Sequence, residues 1–228
     1  MELASNNCFG AIIAPGWRNC KLFLQKERKA IDFLKTLIYN AKIILKGRDL
    51  MTIETPRLLL REYTTEDFDA LYEILSDPET MAHYPAPFTP EDTRHWIEWN
   101  LDNYRRYGFG LWAVTLKATG EFIGDCGLTL QKIDAEQLPE IGYHIHKKHW
   151  RQGFGKEAAR AVRDWCFRCT SYHTLYSYMK YTNIGSYSTA LANGMKKIKE
   201  YPDEKNTVSL VYAITRQEWE ALTTPHCQ

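Results

Sequence analysis

The stretch that most constrains this chain runs from Glu140 to Val162. It reads Glu140-Ile141-Gly142-Tyr143-His144-Ile145, then His146-Lys147-Lys148-His149-Trp150, then Arg151-Gln152-Gly153-Phe154-Gly155-Lys156-Glu157-Ala158. The pattern is a strand, a tight turn containing two glycines, and a helix opened by Lys156-Glu157 with an apolar stripe at Ala159, Val162, Trp165 and Cys166. Glycines just before a helix let backbone N–H groups converge on one point, where the helix dipole adds partial positive charge. Such a point suits a phosphate or pyrophosphate, and Lys147, Lys148, Arg151 and Lys156 surround it with mobile cations. By itself the Gly153-Phe154-Gly155 spacing reads equally well as a plain tight turn. It lacks the third glycine and the acidic residue that a dinucleotide-binding unit requires.

The surrounding sequence sets this motif in one continuous domain starting at Met51. Arg57-Leu58-Leu59-Leu60-Arg61-Glu62-Tyr63 suits an opening strand. Thr64-Thr65-Glu66-Asp67 supplies a cap and first-turn acids for a helix that stops at Asp77-Pro78. A second helix starts at Thr89-Pro90-Glu91-Asp92 and runs to about Tyr104. Two strands, 110–116 and 122–130, are joined by the turn Lys117–Glu121 and precede the central segment.

The charge balance of 29 basic against 28 acidic residues conceals two unlike parts. Residues 1–50 hold nine Lys/Arg and four acids, a net of +5; the rest therefore has 20 basic and 24 acidic groups, a net of −4. The even total gives no reason to expect nucleic acid as a partner. No apolar run approaches the ~18 residues of a membrane span. Residues 22–45 have the spacing of a basic amphipathic helix, and the extension reads alternatively as a loosely docked or disordered segment. Lys46-Gly47-Arg48 can be encoded by purine-only codons like a ribosome-binding site, so the expectation is that translation naturally begins at Met51 and that 1–50 is an extension. Six cysteines are too sparse for a disulfide framework, which makes reduced thiols and a cytoplasmic location the expectation. Cys166 and Cys169 have CxxC spacing without a second ligand pair, and read as thiols late in a helix.

The run Trp150 to Ala158, after Glu140-Ile141-Gly142-Tyr143, resembles the coenzyme A pyrophosphate loop of GNAT-family N-acetyltransferases. It is most similar to the branch containing ribosomal-protein alanine N-acetyltransferases. Thr55-Pro56-Arg57-Leu58-Leu59-Leu60-Arg61 resembles the first strand of that branch, and Asn183-Ile184-Gly185-Ser186 with Gly194-Met195 resembles its later motif. The resemblance covers roughly residues 51–220. It implies an α+β GNAT fold: a mixed, mostly antiparallel sheet flanked by helices and splayed between Glu140–Ile145 and Leu175–Met179. The domain would span 51–222, with a tail at 223–228. It also implies acetyl-CoA as cosubstrate, no metal, and an amine acceptor that is a small molecule or a protein N-terminus, in a monomer or homodimer.

On this resemblance the coenzyme is bound by Tyr143, His144, Ile145, Arg151, Gln152, Gly153, Phe154, Gly155, Lys156, Asn183 and Ser186. Acetyl transfer needs a neutral amine, so Glu140 is the first candidate base, with His144 and His146 as alternatives. Backbone N–H groups of Tyr143–Ile145 could serve an oxyanion, which puts Tyr143 among the catalytic candidates. Ser186 stands in for the Tyr that many family members carry where this chain has Ala190, and would assist the departing thiolate. Asn183 and Ser186 read equally by type as helix-capping residues. The acceptor would lie against His83, Tyr84, Trp96 and Glu140, near Pro85, Pro87, Phe88 and Trp99. Two functions of different class are open: an N-acetyltransferase, or a module that binds the coenzyme as a sensor or partner subunit.

Overall fold

A computed structural model describes residues 51–204 and 206–224. The amphipathic segment at 22–45, the extension as a whole and the end of the tail lie outside the described residues.

Eight strands form one sheet in the order β1-β2-β3-β4-β5-β6-β8-β7. They are β1 (Thr52–Glu54), β2 (Leu58–Arg61), β3 (Leu111–Leu116), β4 (Phe122–Ile133), β5 (Glu136–Ile145), β6 (Thr174–Lys180), β7 (Lys196–Asp203) and β8 (Thr207–Thr215). Five α-helices flank it: α1 (Phe68–Leu75), α2 (Pro90–Tyr107), α3 (Phe154–Cys169), α4 (Ile184–Ala192) and α5 (Arg216–Thr223). Every neighbouring pair is antiparallel except β5 and β6, which are parallel and share the single register position Glu140↔Tyr176. The mixed, splayed sheet expected from the resemblance is therefore present.

Local chemistry explains the helix starts. Thr89 accepts from the Asp92 N–H while Asp92 reaches back to the Thr89 N–H, with Pro90 in the first turn, so α2 opens on a complete capping box. Gly108, at φ 75°, ends that helix in the left-handed conformation.

Alternation along the strands divides the apolar residues between two faces. Trp112, Val114, Ile141 and Leu175 pack with Ala158, Val162 and Cys166 of α3 on one face. Leu111 and Ala113 pack with Leu71, Ile74 and Ile97 of α1 and α2 on the other.

In β4 this alternation slips by one residue. Phe122 packs on the α1/α2 face and Ile123 on the α3 face, but Cys126 and Leu128 also lie on the α3 face. The register with β3 jumps from Val114↔Gly124 to Thr115↔Phe122, so Ile123 is the extra residue of a β-bulge. Gly124 follows at φ 152°, and a Cβ there would lie 2.0 Å from the His144 carbonyl oxygen. Only glycine fits. The bulge turns Asp125 onto the α1/α2 face, where a regular strand would have sent it to the other.

Candidate functional site

After β5 a 3₁₀ turn (Lys147–His149) leads into α3. Arg151 at φ 61° and Gly153 at φ 83° both adopt the left-handed conformation. This alternation gathers successive N–H groups toward one side, at a helix start whose first amides have no intrahelical acceptor. The first N–H that reaches back is that of Glu157, to the Gly153 carbonyl at 3.0 Å. Those of Gly153, Phe154, Gly155 and Lys156 have no acceptor among the described residues.

Arg57, between β1 and β2, braces this loop. Its Nε lies 2.6 Å from Glu157 Oε2, its Nη1 donates to the Gln152 carbonyl at 3.0 Å, and its guanidinium lies 4.3 Å from the centre of the Phe154 ring. Thr55 Oγ1 and the Arg57 N–H donate to Glu157 Oε1 at 2.6 and 3.0 Å. Burial pushes the Glu157 carboxyl up, but the bonds from Thr55 and Arg57 outweigh it and hold the group below its usual range. Trp150 closes the other side, donating its indole N–H to the Ile145 carbonyl at 2.6 Å.

The four cations expected around the loop separate into two pairs. Lys147 bonds Asp77 at 2.6 Å and Lys148 bonds Glu73 at 3.1 Å, tying the turn to the end of α1. Neither is the mobile anion-binding cation its position in the sequence suggests. Arg151 and Lys156 remain exposed at the loop. Unbonded amides, two exposed cations and left-handed turns fit a pyrophosphate.

Beyond Glu140↔Tyr176 the strands β5 and β6 diverge. Ser177 Oγ donates to the Ile141 carbonyl at 3.3 Å, the Ile145 carbonyl takes Trp150, and the His146 N–H goes the other way, to Ile123 of β4 at 2.8 Å. Odd-numbered residues of β5 thus turn their backbone groups toward the gap, and by the same alternation so does the Tyr143 N–H.

On the α3 face the Tyr143 hydroxyl donates to the Ser186 carbonyl at 3.0 Å and lies 3.1 Å from Ser186 Oγ. Asn183 caps α4, its Oδ1 accepting from the Ser186 N–H at 3.0 Å, which leaves the Asn183 Nδ2 side for a ligand. Burial pushes the Tyr143 phenol well above its usual range. The capping role and the grouping of Tyr143, Asn183 and Ser186 at the gap therefore coexist.

On the α1/α2 face lie Glu140, Gly142 and His144. Glu140 is buried and accepts from Thr129 Oγ1 at 3.4 Å. Gly142 leaves space beside it, since a Cβ there would lie 3.2 Å from Glu140 Oε2. His144 Nδ1 is 2.8 Å from Asp125 Oδ1 and its Nε2 is 2.7 Å from the Tyr84 hydroxyl. The His144 N–H also donates to Asp125 Oδ1, at 2.9 Å, and Tyr63 and the Trp96 indole donate to Oδ2 at 2.8 and 3.1 Å. Burial would raise the fully buried Asp125 carboxyl, but its interactions with His144, Trp96 and Tyr63 hold it below the usual range. Tyr84 is 37% exposed as a residue, yet desolvation where its hydroxyl meets His144, with Asp125 and Glu140 nearby, drives the phenol up.

Tyr84, Trp96 and His144 thus meet in one place, with Glu140 further along the same face of β5. His83 does not join them, facing Thr182 across the end of β6 at 3.4 Å. His146 bonds Glu73 at 3.3 Å, outside the Asp125 cluster. His144, grouped by resemblance with the coenzyme residues, sends both its ring and its N–H to the α1/α2 side. Asp125 and Arg57 were missed as site residues. Asp125 had one legible signal, an acid inside the apolar run Ile123 to Leu128. Among the described residues no group of three or more His, Cys, Asp or Glu could hold a metal ion, and no helix is long and apolar enough to cross a membrane.

Comparison with known proteins agrees with this arrangement. The family model described as an acetyltransferase (GNAT) domain matches residues 57–196. The chain is 40% identical over 114 residues to the uncharacterized protein YkkB of Bacillus subtilis, covering 50% of this chain and 66% of that one. It is 30% identical over 181 residues to the uncharacterized N-acetyltransferase YnaD of the same organism, covering 74% of this chain and 99% of the other. A crystal structure of an acetyltransferase from Agrobacterium tumefaciens is 29% identical with a TM-score of 0.63, covering 72% of this chain and 94% of that one.

Proposed function

The chain belongs to the GNAT acetyltransferase family, and from that premise we propose that it transfers an acetyl group from acetyl-CoA directly to a primary amine, on a small molecule or a protein N-terminus. The observation that carries this reading is the convergence at the β5–β6 gap. The unbonded amides of the α3 start lie at its end, the Tyr143–Ser186 hydroxyl pair on one face, and the Glu140 carboxylate on the other.

Acetyl-CoA, when bound, supplies an activated acyl carbonyl attached to a thiolate leaving group. Residues 151–156 hold its pyrophosphate through backbone N–H groups, Arg151 and Lys156. The Asn183 amide holds the pantetheine arm. The Tyr143 N–H faces the gap, where it stabilises charge growing on the acyl oxygen. The Tyr143 phenol, kept protonated by burial, shifts its proton from the Ser186 carbonyl to the departing sulfur, with Ser186 Oγ positioning the phenol oxygen. Glu140 draws the acceptor ammonium over Gly142, and Tyr84 and Trp96 wall that side. The catalytic unit in this reading is residues 51–222, acting in the cytoplasm.

The test is thiol release from acetyl-CoA with an alanyl-terminated peptide, kanamycin and spermidine as probe amines, each product examined by mass spectrometry for one added acetyl group. Sustained thiol release and an acetylated product are expected with at least one probe. Coenzyme binding without transfer to any of the three would contradict amine acetylation and favour the binding module.

A further inference from the structure

We propose that Tyr84, His144 and Asp125 form the path by which the acceptor ammonium loses its proton, with Tyr84 touching the nitrogen and His144 the final acceptor. The inference rests on the amine-acetylation reading and adds to it the route of the proton. Asp125 and Tyr84 are each bonded to a different nitrogen of the same imidazole, at 2.8 and 2.7 Å. With Nδ1–H donated to Asp125 Oδ1, Nε2 is left as an acceptor for the Tyr84 O–H. Three things fix the imidazole in this role. Asp125 is fully buried and takes further donors from Tyr63 and Trp96 on its second oxygen. Trp96 packs edge-on against the His144 ring, at 5.9 Å between centroids. The bulge at Ile123–Gly124 exists where it must to turn Asp125 onto this face.

The proton balance is simple. An ammonium N–H bond breaks, leaving its electron pair on nitrogen, and the proton joins the Tyr84 oxygen. The original Tyr84 proton passes to His144 Nε2, and Asp125 neutralises the resulting imidazolium. Tyr84 therefore acts as a relay without ever becoming a phenolate, which its surroundings strongly disfavour. Glu140 anchors the ammonium electrostatically and is not the terminal base. The other titratable groups facing this array are Tyr63 after β2, Tyr104 of α2, Cys126 of β4, Glu140 and Tyr143 of β5 and Tyr178 of β6.

The test uses the full chain and the best of the three probe amines. Tyr84→Phe keeps the ring that packs on His144 and Phe88 and removes only the hydroxyl. It should lower kcat about 100-fold, the low end of what a proton-transfer group contributes, with the KM for acetyl-CoA unchanged. His144→Gln should flatten the acidic limb of the kcat/KM–pH profile. Independently of turnover, ¹⁵N NMR of the coenzyme-free protein should find the Nδ1–H tautomer at His144, and Asp125→Asn should shift it toward Nε2–H. Full activity in Tyr84→Phe, or an unmoved acidic limb in His144→Gln, would overturn the relay while leaving amine acetylation intact. A wild-type protein that binds acetyl-CoA and acetylates none of the probes would overturn both.

Discussion

In the proposed transfer Tyr143 and Ser186 divide one task between two hydroxyls 3.1 Å apart, and the division predicts unequal losses. Tyr143→Phe removes the proposed proton donor to the leaving sulfur and should lower kcat about 100-fold. Ser186→Ala leaves the phenol and its bond to the Ser186 carbonyl in place, and should cost about 10-fold with coenzyme affinity nearly intact; kinetics at saturating acetyl-CoA decide this, and unchanged turnover in both variants would refute the assignment. Ser186 was legible from motif position alone, whereas the partnership with Tyr143 was not, since 43 residues separate them. Glu140 and His144 were both read as candidate bases because residue type is visible in a sequence. What separates their proposed roles is wiring: Asp125 and Tyr84 meet at one imidazole because a single-residue bulge reverses the facing of β4. Period-two reasoning places Asp125 on the wrong face, and only the glycine beside it hinted at irregular backbone.

At the scale of elements, the loop before α3 is held by a segment about 100 residues away in sequence. Arg57 and Thr55 clamp Glu157 in the first helical turn, so the β1–β2 turn and the start of α3 are tied together. The Arg57 side chain is 47% exposed, so its ion pair should contribute under about 1 kcal/mol to stability. Its main effect is expected on the loop. Arg57→Ala should weaken acetyl-CoA binding about 10-fold, or about 1.4 kcal/mol, with little change in the Tm of the coenzyme-free protein. Calorimetric titration checks this, and unaltered affinity would remove Arg57 from the account. Helix starts were legible because caps are local: Thr89-Pro90-Glu91-Asp92 specifies α2 without help from the rest of the chain. The fate of Lys147 and Lys148 was not, because the acids that engage them, Asp77 and Glu73, come from the turn after α1 and from α1 itself.

For the molecule as a whole, the central feature is a sheet that is continuous everywhere except between β5 and β6. Parallel pairing at one register position, with antiparallel pairing elsewhere, leaves a gap with a helix start at its mouth and a different chemistry on each face. Hydroxyls lie toward α3 and α4; carboxylates, imidazole and indole lie toward α1 and α2. The fold class and the glycine loop could be read from the chain because motif order survives in sequence. The two-sided division of the site could not, since it depends on which way each residue of β4 and β5 faces. Acetyl transfer at this site requires that the gap and loop bind acetyl-CoA. A thermal melt with and without the coenzyme tests that most directly. At 100 times its Kd, acetyl-CoA should add about 2.7 kcal/mol, raising the Tm by about 5–10 °C for a domain of this size. Gly153→Val, which places a branched side chain at a left-handed turn position, should abolish the increase. A wild-type Tm that stays the same at saturating acetyl-CoA would contradict the account.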